Sequence, residues 1–147
     1  MRFSSASAIT ALFCIFPATA HSTEVNNELV ARGITVHCKK NTPTISPAAV
    51  GRLFRTLAGG RPEEQCGASF GPTLHIGGKS SVSARTGNFQ IYVCNSSEKK
   101  RCVTLGKDRG KILEDASEQC NGRLFYVRED DGWTFGVDVG ENKECGF

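Results

Sequence analysis

Residues 124–139 read LFYVREDDGWTFGVDV, and their pattern decides the fold. Two alternating runs, 124–128 and 133–139, flank the acidic turn Glu129-Asp130-Asp131-Gly132. Asp-Gly between alternating runs is a strong hairpin signal, because both residues tolerate the backbone conformations that tight turns require. Trp133, Phe135, Val137 and Val139 recur at every second position. One face of that strand is therefore apolar, as in a sheet with a buried side.

Working outward, the clearest helix covers 46–59. Ser46 can cap the backbone, and Pro47 takes the first helical position, where a missing N–H costs nothing. Val50, Leu53, Phe54 and Leu57 fall on one face at i, i+3, i+4 and i+7. Gly59-Gly60 is predicted to end the helix in the left-handed conformation glycine tolerates. Arg52 and Arg55 point away from the apolar stripe. A second helix is predicted over 108–119, with Ile112, Leu113, Ala116 and Cys120 inward, Gly110 weakening its first turn and Asn121-Gly122 stopping it.

Alternation predicts strands at 34–38 and 89–94, with shorter ones at 73–76, 81–85 and 102–105. Residues 21–32 read as a weakly ordered arm. The fold class is α+β: a single antiparallel β-sheet with two α-helices packed on one face, in one domain covering 21–147.

Residues 1–20 read as a signal peptide. Arg2 precedes a short apolar run, and Ala18 and Ala20 fit the small-x-small pattern before a cleavage point. That run is too short to cross a bilayer, so no stable membrane insertion is expected. Removing these 20 of 147 residues leaves 127 and takes the formal charge from +3 to +2. So low a net charge argues against a strongly salt-driven nucleic-acid or membrane binder, while leaving room for a local basic patch.

Cys14 leaves with the signal, and six cysteines remain: Cys38, Cys66, Cys94, Cys102, Cys120 and Cys145. An even set behind a signal implies disulfides and an oxidising, extracellular location. Zinc sites favour Cys-x-x-Cys pairs and none occurs, so no metal or other cofactor is expected. Six cysteines allow 15 pairings. A bridge from the first strand to the end of the second helix, Cys38–Cys120, is preferred. Cys145 anchors the C-terminus to a partner left open.

No catalytic set assembles in the sequence. His37, His75, Glu63, Glu64 and several arginines carry the groups a small secreted nuclease needs, yet nothing in the sequence brings them together, and the chain reads as non-enzymatic. Asn95-Ser96-Ser97 is an N-glycosylation acceptor, which would place that loop on the surface. Lys99-Lys100-Arg101 has the form of a processing site at Lys100-Arg101, although a solvated turn is the favoured reading. Arg52, Arg55 and Arg61 form a basic group on and after the first helix.

From Phe89 onward the layout resembles the KP4-like killer-toxin family of fungi. The likeness lies in FQIYVCNSS (89–97), KDRGKILEDASEQC (107–120) and GWTFGVDVGENKEC (132–145), with GITVHCKK (33–40) similar to that family's opening strand. The resemblance implies an α/β sandwich and a secreted protein acting on foreign cells, in that family by interfering with cation channels. The chain also resembles the secreted cysteine-rich effectors of plant-colonising fungi. That resemblance implies a monomeric virulence or avirulence protein in the host apoplast or translocated into host cells, binding a host protein or resistance receptor. Tyr92, Tyr126, Arg52 and Arg55 are the predicted contacts, on the open sheet face and the first helix.

Overall fold

The computed structural model describes residues 29, 32–59, 66 and 72–147. The predicted signal peptide, most of the arm that follows it, and Arg61, Glu63 and Glu64 lie outside the described residues. The elements run β1 (Ile34–Cys38), α1 (Pro47–Ala58), β2 (Thr73–Ile76), β3 (Ser80–Thr86), β4 (Phe89–Asn95), β5 (Arg101–Thr104), α2 (Lys107–Gln119), β6 (Phe125–Glu129) and β7 (Trp133–Val139).

The class is α+β, with all pairings antiparallel, but the strands divide between two sheets. Five form the order β1-β6-β7-β4-β3, and β2 pairs with β5 in a smaller sheet. The predicted hairpin at 124–139 supplies β6 and β7, with Val127 opposite Phe135 and Phe125 opposite Val137. These residues, with Trp133 and with Ile91 and Val93 of β4, bury the inner face against Val50, Leu53, Phe54 and Leu57 of α1 and Leu113 and Ala116 of α2. Leu74, Ile76 and Val103 of the small sheet join the same core. At roughly 1.5–3 kcal/mol per fully buried large apolar side chain, this cluster dominates the favourable side of folding.

The Ser46 hydroxyl accepts from the Ala49 N–H at 3.3 Å, the predicted cap. Gly59 ends α1 with φ −79°, not in the left-handed region; its N–H bonds instead to the Arg55 carbonyl, so the last turn closes helically. After α2, Asn121 and Gly122 do turn left-handed, at φ 52° and 71°. Gly110 has a packing role: a Cβ there would stand 3.1 Å from Phe54 Cδ1, so its absence lets the Phe54 ring lie on the backbone of α2.

Arg109 ties α2 to the sheet. Its guanidinium donates to both Glu129 carboxylate oxygens, at 3.0 and 2.6 Å, and to the Thr104 carbonyl, while lying 5.0 Å over the Phe135 ring. Three disulfides close the chain. Cys38–Cys120 joins β1 to the end of α2, as predicted. Cys145 pairs with Cys94 of β4, and Cys66 with Cys102 of β5.

Candidate binding surfaces

Alternation sends His37, Tyr126, Arg128, Thr134, Gly136, Asp138, Gln90, Tyr92 and Ser83 to the outer face of the large sheet, away from the helices. That face is only partly open. Beyond β7, residues 140–147 fold back across β4 and are stapled there by Cys94–Cys145.

Tyr92 is therefore corrected from an exposed contact to a buried one. It is 0% exposed, lies over Gly136, and its hydroxyl accepts from the Glu144 N–H at 3.1 Å. Burial raises its phenol well above the usual range, because the charged form has no water to solvate it. Beside it, Gln90 donates to the Asn142 carbonyl at 2.6 Å. Lys39 bonds to the carboxylates of Asp138 and Glu144. Burial opposes the charged ammonium, but the two carboxylates outweigh it and leave the Lys39 pKa raised.

The uncovered part of the face lies over β1 and β6. His37 and Tyr126 stack there with ring centroids 4.5 Å apart, and the Arg128 guanidinium lies 5.3 Å from the Tyr126 ring. Gly146 lies against Arg128, which brings the end of the chain to this cluster. Phe147, at 53% exposure, is the large apolar side chain left to solvent among the described residues. Tyr126 thus stands where a surface contact can use it. Neither His37, Arg128 nor Phe147 is distinguished by motif as a contact; their register against Tyr126 brings them together. Arg52 and Arg55 are both exposed on α1, on the opposite side of the core.

Asn95, the glycosylation candidate, is also corrected. It is 0% exposed, and its amide nitrogen donates to the carbonyls of Ile76, Gly77 and Lys99, at 3.1, 3.0 and 2.8 Å. Its oxygen accepts from the Ser97 N–H and hydroxyl. The side chain is a knot joining the two sheets, with no room for a sugar. At the basic triplet, Lys99 and Lys100 are exposed, but Arg101 begins β5, donates to the Asp131 carbonyl at 2.6 Å and lies over Trp133. Its backbone is paired in a strand rather than offered to a protease.

The two histidines sit in different sheets, His37 in β1 against Tyr126 and His75 in β2 beside Cys102. A groove of about 550 Å³ opens between the β3–β4 turn and the end of β7, lined by Pro43, Arg85, Phe89 and Val139. Among the described residues, no helix is long and apolar enough to cross a membrane. No protein-family model, curated protein or solved structure matches the chain.

Proposed function

We propose that this chain is a secreted, non-enzymatic fungal effector that binds a host protein through the uncovered outer face of its sheet. The observation that carries the reading is the outward-facing row of half-buried His37 and Tyr126 with exposed Arg128, beside Phe147. Aromatic and arginine side chains supply most of the energy at protein interfaces. Here stacking holds two rings and a guanidinium in place before any partner arrives, which lowers the entropy lost on binding. Three disulfides favour an oxidising compartment, as expected of a protein exported to the host apoplast. A host resistance receptor that reads the same face would make the protein an avirulence determinant.

Expression of the full chain with its leader in host leaf tissue tests this. Immune recognition, or suppressed immune signalling, is the expected result; the absence of both would overturn the proposal.

A second reading is a KP4-like killer toxin that inhibits competing or host cells, for example by blocking cation channels. It draws on one observation, that both helices pack on one side of an antiparallel sheet, the layering that resemblance implies. Growth inhibition of fungal cells by micromolar oxidised protein, without any leaf response, would favour it.

A further inference from the structure

The Cys66–Cys102 disulfide and the His75 imidazole form one cluster on the outward side of the small sheet. His75 and Cys102 are direct cross-strand partners in the β2–β5 ladder. A ring nitrogen of His75 and the two sulfurs lie within 4.8 Å of one another. His75 and Cys102 are exposed and Cys66 is half-buried, whereas each of the other two bridges has one fully buried end, Cys120 or Cys94. An attacking thiolate must reach a sulfur from outside, so exposure makes Cys66–Cys102 the accessible bridge.

We propose that reduction of this bridge by a thiol converts the cluster into a zinc site held by Cys66, Cys102 and His75. A small-molecule thiolate attacks one sulfur, forming a mixed disulfide and releasing the other cysteine. A second thiol attacks the mixed disulfide and departs as the oxidised small-molecule disulfide. Two electrons and two protons have then passed to Cys66 and Cys102, and two thiols have been oxidised. Zn²⁺ displaces the two thiol protons and takes the neutral His75 nitrogen, leaving the fourth position to water.

The geometry suits this exchange. Zn–S bonds of about 2.3 Å and Zn–N bonds of about 2.0 Å place tetrahedral ligand atoms roughly 3.5–3.8 Å apart. The nitrogen–sulfur gaps need close by only about 1 Å, and the sulfurs separate by side-chain rotation. Opening the bridge leaves Cys66 anchored, because its backbone N–H donates to the buried Thr73 hydroxyl at 3.1 Å. The strand ladder holds His75 and Cys102. The staple between residue 66 and the small sheet thus passes from a disulfide to a metal where thiols prevail.

The test treats the oxidised full chain with a limiting phosphine reductant, maps the opened bridge by alkylating one portion, and adds zinc to a second, unalkylated portion under native mass spectrometry. The expected result is that Cys66–Cys102 opens first and that the reduced chain binds one zinc. A His75→Ala variant, altered at an exposed position, opens the same bridge but holds zinc about tenfold or more weakly. Opening of another bridge first, no zinc on the reduced chain, or equal affinity in His75→Ala would each overturn the proposal.

Discussion

Gly136 of β7 lies directly beneath the Tyr92 ring of β4: a Cβ at position 136 would stand 2.8 Å from Cε1 and closer still to Cζ and Oη. The missing side chain lets the ring lie down over the neighbouring strand and offer its hydroxyl to residues 140–147. Gly136→Ala should push the ring off this seat and destabilise the protein by about 1–3 kcal/mol, the usual range for overpacking. Denaturant unfolding checks this; an unchanged midpoint would show that the ring does not depend on the gap.

A second prediction concerns alkaline pH. The fold raises the pKa of both Tyr92 and Lys39 above ordinary values of 10.0 and 10.5. A group that holds its proton more tightly when folded contributes stability below its unfolded pKa and loses it as pH climbs toward the folded one. These two residues should therefore leave stability flat up to about pH 9.5 and lower it above pH 10, by up to about 1.4 kcal/mol per pH unit for Tyr92 and by less for Lys39, whose ion pairs are partly screened by solvent. Thermal unfolding as a function of pH should show the fall, and Tyr92→Phe should blunt it. An equal slope in that variant would dismiss Tyr92 as its source.

The burial of Tyr92 was not legible in the sequence, for a physical reason. Tyr92 alternates with Ile91 and Val93, so period-two reading assigns it to the solvent side. What covers it is GENKECGF (140–147), a polar segment with no apolar periodicity of its own. Its single signal is Cys145, whose bond to Cys94 draws the segment across the sheet. The 124–139 hairpin and α1 were legible because turn chemistry and amphipathic spacing are local. The separation of β2 and β5 into their own sheet was not, since alternation marks a strand without naming its neighbour.

Asn95 gives a third prediction. Replacing it by Ala would strip a partner from the Ile76, Gly77 and Lys99 carbonyls and should destabilise the fold by on the order of 2–4 kcal/mol. The protein secreted from a eukaryotic host should also show no mass loss on glycosidase treatment. A glycan on Asn95 would contradict its place inside the fold. Sequence reading finds the acceptor motif here, but the geometry that makes the same three residues a closed turn is set by β2, which lies far from them in the chain.

The Arg109 fork gives a fourth. Lysine retains the charge but cannot reach both Glu129 oxygens and the Thr104 carbonyl while lying over Phe135. Arg109→Lys should therefore lower stability by about 1–2 kcal/mol despite conserving charge. Comparing it with Arg109→Lys in a Glu129→Gln background isolates the pairing. Equal losses in both backgrounds would remove the ion pair as the cause.

The most direct measurement compares the wild-type protein with a Tyr126→Ala/Arg128→Ala variant in host leaf tissue, at matched secreted levels and with disulfides confirmed by mass mapping. Both side chains lie on the uncovered face and outside the core cluster, so the variant should fold. Binding through this face predicts that the wild-type leaf response is lost in the variant. A response of undiminished strength from the variant would contradict it.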